Sequence, residues 1–335
     1  MKKKLLLNAV MFTFLLPTVW AQVTTPRTPS PGASVSQAIG ISKVTVIYSR
    51  PSVKGREIWG ALVPFGWNKQ GFGFNNDAPW RAGANENTTI EFSHDAKVEG
   101  KPVPAGKYGL FFVINKDNTG EVILSKDYRS WGSFFYVAEN DLMRAPIAVV
   151  DHAMTETLSY EFNSSDKNSA ELALNWEKKK FPVRIEFAVD NLVIANATEE
   201  LKGPIGFNWQ GYSSAANYAL QNKINVDQGM KWIDQAIQQN KSFTTLRIKS
   251  GLLALKGSKP ESDKIMTEAT ALANENELNA YGYQLINQEQ KDKAIEIFSL
   301  TTQRYPDSAN AWDSLGEGYA LKGDSKMRSK VLKNP

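Results

Sequence analysis

The sequence of 335 residues contains no cysteine. That one absence excludes disulfide staples, thiolate metal sites, dithiol redox chemistry and a lipid-modified N-terminal cysteine. Histidine is nearly missing too. Only His94 and His152 occur, each beside an aspartate whose side chain would point to the opposite face of a strand. A zinc site built from them would still need a remote carboxylate, so two structural histidines are the simpler reading. No metal and no cofactor is expected. No GxSxG elbow, HExxH pair, phosphate loop or GxGxxG after a strand is present. Gly71-Phe72-Gly73-Phe74 lacks the lysine and following helix of a phosphate loop, and Asp227 to Gly229 is not a calcium loop. No stretch reaches the roughly 20 apolar residues that a membrane span requires.

What is present begins with an export signal. Lys2, Lys3 and Lys4 form a basic start, Leu5 to Leu16 an apolar core, Pro17 a break, and Val19-Trp20-Ala21 a small-residue cleavage pattern. Residues 1–21 therefore read as a signal peptide, removed after Ala21, and the mature chain as free in the periplasm or outside the cell. Losing the three lysines lowers the formal charge from +4 to +1. A mature protein near neutrality gives no electrostatic basis for nucleic-acid binding.

Residues 22–32, rich in Pro, Thr and Ser, read as a flexible leader. From 33 to 196 the pattern is of strands. Val44, Val46 and Tyr48 alternate with Thr45 and Ile47, and Thr88 to Phe92 alternates again before a turn at Glu99-Gly100-Lys101. Gly106–Ile114 and Glu121–Leu124 form a hairpin pattern around residues 116–120. Further strand candidates are Ala145–His152, Thr157–Phe162, Ala170–Trp176 and Pro182–Val189, with Lys178-Lys179-Lys180 as a solvated turn. About nine short strands at this spacing predict an antiparallel β-sandwich.

After a linker at 197–207, marked by Gly203-Pro204 and Gly206, the composition becomes helical. With Glu275 as the first position of a unit of about 34 residues, Tyr281, Gly282 and Leu285 are followed by Ala294, Phe298, Thr301 and Pro306 at their expected places. Trp312, Leu315, Gly316 and Tyr319 start the next unit, and Gly229, Ile233 and Ala236 repeat the second-helix pattern upstream. Residues 208–335 thus resemble three to four tetratricopeptide-like helix pairs, a stack whose concave face suits a protein or peptide partner. A plain helical bundle supporting the sandwich is the alternative.

The densest chemistry lies between Val44 and Ser93. Ser49-Arg50-Pro51-Ser52-Val53-Lys54-Gly55-Arg56, Trp59-Gly60, Leu62 to Gly66, and Trp80-Arg81-Ala82-Gly83-Ala84-Asn85-Glu86 occur in order, followed by Gly100-Lys101, Ala105 to Tyr108 and Trp131-Gly132. These words resemble a secreted family, common in Bacteroidota, known as domain of unknown function 2911. The resemblance covers about residues 33–190 and implies export and, in some members, appended tetratricopeptide repeats. It implies no reaction. An insert, Trp67 to Ala78, has no counterpart in shorter members.

Three readings of this cluster stand. Arg50, Arg56 and Arg81 could hold a carboxylate or phosphate, with Trp59 and Trp80 as stacking faces and Asn85 and Glu86 as polar contacts for an anion or a sugar. Glu86 with Asp77 or Glu57 could form a carboxylate pair for glycoside cleavage, although no local spacing supplies one. Or the arginines satisfy buried carbonyls and the tryptophans fill the end of the sandwich. The ligand-binding set is accordingly Arg50, Arg56, Trp80, Arg81, Asn85 and Glu86. A non-enzymatic binding or scaffolding role is favoured; the alternative is an envelope glycan hydrolase with Glu86 as acid or base.

Overall fold

The computed structural model describes residues 29–331. The expected signal peptide at residues 1–21, and residues 22–28 of the expected leader, lie outside them. The chain divides into two compact units, Met1–Phe187 and Ala188–Pro335.

The first unit is built from twelve strands among the described residues: β1 (Gly32–Ile39), β2 (Ser42–Ser49), β3 (Asn68–Lys69), β4 (Asp77–Ala78), β5 (Thr89–Phe92), β6 (Ala96–Val98), β7 (Lys101–Val103), β8 (Gly106–Ile114), β9 (Thr119–Ser125), β10 (Asp141–Ala148), β11 (Val150–Ser165) and β12 (Ser169–Glu186). They form a six-stranded sheet ordered β1-β2-β5-β8-β9-β10, a four-stranded sheet ordered β11-β12-β6-β7, and the small hairpin β3-β4. Every pairing is antiparallel. The larger sheets face each other through aromatic side chains: Phe112 meets Phe181 at 5.2 Å between ring centroids, and Tyr48 meets Tyr160 at 4.7 Å. The expected sandwich is present, and no sheet closes into a barrel among the described residues.

The strand β2 shows why the pattern was readable: Val44, Val46 and Tyr48 are buried while Ile47, its neighbour in the alternation, is exposed. In β8 the alternation disappears, because Phe111, Phe112, Val113 and Ile114 are all buried. Phe112 points into the sandwich, whereas Phe111 and Val113 lie with Ile123 on the other face beneath Ala78, Tyr136 and Trp67. The insert is therefore a cover over the outer face of the central hairpin. Tyr136 donates to Asp141 at 2.5 Å, and the Arg144 guanidinium, also bound to Asp141, lies 4.5 Å over the Trp67 ring.

Several boundaries differ from the sequence reading. Gly32 already pairs with Ser49, so the leader does not extend to residue 32. The candidate strand Ala145–His152 is divided at Val149 between β10 and β11. The lysine triplet is not a turn. Residues 169–186 form one strand, in which Glu177 alone takes a left-handed conformation (φ 53°) and the register shifts. A bulge of this kind bends a strand without ending it. Lys179 and Lys180 are held along it by Asp151 and Glu171, each at 2.6 Å.

The strands end at Glu186, and residues 189–200 form helix α1 (Val189–Glu200) instead of a final strand and linker. Ile194, with Ala197 and Leu201 beside it, packs into the same apolar cluster as Ala216, Trp232 and Ile248, so this segment belongs to the helical unit. Among the described residues eight further helices follow: α2 (Trp209–Asn222), α3 (Val226–Gln239), α4 (Phe243–Leu255), α5 (Lys259–Leu272), α6 (Glu275–Asn287), α7 (Lys291–Arg304), α8 (Ala309–Lys322) and α9 (Ser325–Val331). They pack as four consecutive pairs from α2/α3 to α8/α9. The small residues expected at the crossings are there. A Cβ on Gly282 would come within 2.3 Å of the Phe298 ring, and at the α4/α5 crossing Ser250 and Ser262 each donate to the other's carbonyl at 2.9 and 2.8 Å. Among the described residues no helix is long and apolar enough to cross a membrane.

Helix α1 is tied to α2 by Tyr218, whose hydroxyl donates to Asp190 at 2.8 Å. Burial, then the nearby Asp190 carboxylate, pushes the phenol up to about 12 from an ordinary 10.0. The native state thus favours the protonated phenol. Its contribution to stability is complete below pH 10 and is lost as pH rises toward 12. Tyr218→Phe is expected to flatten that loss in urea midpoints measured across this window; an unchanged profile would contradict the tether.

Candidate functional site

Among the cavities of the first unit, one of about 300 Å³ opens in the connection that leads from β2 to β5. Its floor is aromatic. Trp80 exchanges two backbone hydrogen bonds of 2.9 Å with Phe112 of β8, which fixes its ring over the sandwich interior. There it stacks on Trp176 of β12, with centroids 5.7 Å apart and planes 17° from parallel. Trp59 meets both rings edge-on, at 5.7 and 5.9 Å, and its indole N–H is already donated to Glu177. The indole nitrogen of Trp176, by contrast, is buried and has no hydrogen-bond partner among the described residues. Buried donors are nearly always paired, so this unpaired N–H is an exception in the fold.

After Trp80 the chain makes a strained loop. Ala82 and Asn85 both have left-handed backbones, φ 54° and 62°. Such conformations persist in side-chain-bearing residues only where surrounding contacts enforce them. Here the carbonyl of the fully buried Ala82 accepts from the Tyr160 hydroxyl at 2.9 Å and from Thr88 at 3.1 Å. The loop delivers Arg81 to the cavity. Its Nη1 donates to the Asn85 carbonyl at 2.7 Å, and its guanidinium carbon lies 4.9 Å from the centroid of the Phe134 ring. Gly132, at φ 61°, approaches the guanidinium so closely that a Cβ would sit 2.5 Å from it.

Burial lowers Arg81 from its ordinary 12.5, yet a guanidinium stays charged in proteins. Among the described residues no carboxylate pairs with it; the Asn85 carbonyl takes one of its five N–H groups. Among the described residues no aspartate, glutamate, histidine or lysine lines the cavity, whereas Arg56 and Arg81 both do. The remaining walls are apolar, amide or hydroxyl, with Leu62, Pro64, Asn68, Gln70, Asn85 and Ser133 among them. A half-buried cation without a counter-charge among the described residues is complementary to an anion.

The structure separates the residues that the sequence grouped. Trp80, Arg81 and Asn85 meet in the cavity, and Arg56 reaches its wall while donating to the carbonyls of Val53 (3.0 Å) and Ser52. Asn85 also donates to the Ser30 carbonyl at 3.2 Å. Arg50 does not line the cavity. Its Nε donates to the Leu158 carbonyl at 2.9 Å and its amide to Pro31, fastening the end of β2 to β11. Glu86, Glu57 and Asp77 are exposed and line no part of it. His94 bonds Ser93 and His152 bonds the Ala153 carbonyl, and among the described residues no three His, Asp or Glu side chains gather as a metal site requires. Trp176, Gly132 and Ser133 belong to the site but were not singled out as binding residues. Trp131-Gly132 among the family words was the one signal for that side; Trp176 comes from the far end of the fold and gave none.

Residues 30–185, which carry this cavity, match the family described as protein of unknown function (DUF2911). No curated protein matches the chain. Several solved structures are similar to part of it, two of which follow. The crystal structure of MamA is 17% identical, with 44% of this chain and 86% of that chain covered and a TM-score of 0.29. YrrB, described as a TPR protein with an unusual peptide-binding site, is 18% identical, with 44% and 80% covered and a TM-score of 0.25.

Proposed function

We propose that this protein is an exported, non-enzymatic binding module of the bacterial envelope, of a kind found in Bacteroidota. Its sandwich cavity receives a small anionic ligand on Arg81, and its helical pairs engage a protein partner. The observation that carries the first part is the cavity lining: two arginines, an unpaired Trp176 donor, and no acid or base. General acid–base catalysis needs a titratable group within hydrogen-bond reach of the substrate. Glu86, the acid or base of the hydrolase alternative, stands outside the lining, so binding is the better-supported reading. Export rests on the Lys2–Lys4 start, the apolar Leu5–Leu16 core and the Val19-Trp20-Ala21 pattern.

For the helical unit, support comes from Arg247. It lies on α4 beside Trp209 and Asn217 of α2 in a second cavity of about 250 Å³, and burial lowers it from its ordinary 12.5. The Asn217 side-chain oxygen is buried there without a partner among the described residues. A backbone amide and a carboxylate of a bound chain would satisfy both.

Thermal unfolding of the mature protein in a panel of acetate, benzoate, phosphate, sulfate and neutral sugars tests the sandwich reading. At 100 times its Kd a ligand adds about 2.7 kcal/mol. At least one anion is expected to raise the midpoint of the wild type and to leave Arg81→Ala unmoved. Stabilisation by sugars alone, or equal stabilisation of both proteins, would refute the assignment.

A further inference from the structure

Beyond the residues that line the cavity, Arg81 meets a run of aromatic rings. Phe134, over which the guanidinium lies, is the first of four phenylalanine rings in continuous contact: Phe134 meets Phe72 at 5.5 Å, Phe72 meets Phe135 at 6.2 Å, and Phe135 meets Phe74 at 5.5 Å. Phe72 and Phe74 are 64% and 59% exposed, the most exposed of the large apolar side chains in the first unit among the described residues. They are not on a loose loop tip. The Phe74 amide donates to the Phe134 carbonyl at 2.9 Å, and Gly73, at φ 66°, lies so close that a Cβ would be 2.1 Å from that oxygen. Two phenyl rings are thus held in water by backbone contacts, contiguous with a cation that has no counter-charge among the described residues. Ordered, clustered apolar exposure of this kind marks a binding surface.

We infer that the ligand of this site is an amphiphilic anion, a carboxylate with a straight alkyl tail, bound as a single molecule. The inference rests on the anion-binding reading above. The head group takes the free N–H groups of Arg81, and the tail runs over Phe134 onto Phe72 and Phe74. Charge complementarity selects an acid over an amine of the same length. The ring chain gives each added methylene apolar surface to cover until the patch is spanned. The insert Trp67 to Ala78, which carries Phe72 and Phe74, then has two roles: it covers the central hairpin and it extends the cavity into an apolar track.

The test is a titration of the full mature chain with butyrate, hexanoate, octanoate and decanoate. Ionic strength is held fixed, concentrations stay below micelle formation, and the fluorescence of the cavity tryptophans is followed. Affinity is expected to rise about two- to fourfold per methylene in the wild type. Phe72→Ser combined with Phe74→Ser, both exposed positions, should flatten that series to the butyrate value, and Arg81→Ala should abolish binding at every length. Equal affinity at all lengths, still lost in Arg81→Ala, would overturn the amphiphile and leave the anion site standing. No binding of any acid would overturn both. Octyltrimethylammonium binding as tightly as octanoate would overturn the inference, as would phosphatidylcholine vesicles captured through the phenylalanine pair while free octanoate is not bound.

Discussion

Phe181→Ala is expected to destabilise the first unit by about 3–5 kcal/mol, a large share of the stability of a domain of this size. Phe181 is fully buried and meets Trp59, Trp80 and Phe112 at 5.4, 6.0 and 5.2 Å. It joins the two sheets and supports the aromatic floor of the cavity in one place. Removing it leaves a void that the surrounding rings, locked in edge and stacked contacts, cannot close. Hydrogen exchange should show amides of β8, β9 and β12 losing protection, with the urea midpoint falling in parallel. A loss below about 1 kcal/mol would mean that the rings repack freely and that the floor is not rigid.

Gly132→Val should remove anion binding although Arg81 is still present. Two effects coincide at this residue. A β-branched side chain at φ 61° is strained by roughly 1–3 kcal/mol, and its Cβ would occupy the space of the Arg81 guanidinium, 2.5 Å from its central carbon. The guanidinium must leave, and the cavity loses its charge. Gly100→Val separates strain from displacement. Gly100 has φ 74° in the β6–β7 turn, and nothing lies within 4 Å of a Cβ there. Both variants should lower the unfolding midpoint; only Gly132→Val should lose the anion-dependent shift. Retention of that shift in Gly132→Val would contradict the placement of Arg81.

The contrast between Arg50, Arg56 and Arg81 shows how far the sequence was legible. All three sit in similar polar, turn-rich contexts, and reading them as a set was the natural inference. Their fates depend on residues far along the chain. Arg50 directs its Nε to Leu158, away from the cavity, Arg56 bonds carbonyls three and four positions before it, and Arg81 spends one donor on Asn85 within the cavity. Trp176 joins the cavity only because β12 is folded against the sheet that carries Trp80, a contact with no local signal.

Local physics was easier to read. The hairpin at residues 106–124, the turn at Glu99-Gly100 and the spacing of Gly282, Ala294 and Phe298 each depend on near neighbours and came out as expected. Two errors share a cause. Lys178 to Lys180 look like a turn and residues 190–196 like the end of the β-domain until their partners are known. Asp151 and Glu171 neutralise the former within a strand, and Trp232 and Ile248 draw the latter into the helical core. Tertiary partners decided both against local propensity.

The central claim is that Arg81 holds an anion inside the first unit. Crystals of the mature protein soaked in 4-bromobenzoate test it most directly, because the bromine marks the ligand by its anomalous signal. The account predicts a peak beside Trp80 and Trp176, with carboxylate density within hydrogen-bonding distance of the Arg81 guanidinium, absent in Arg81→Ala. A bound carboxylate found only at surface lysines, with the cavity holding water alone, would contradict it.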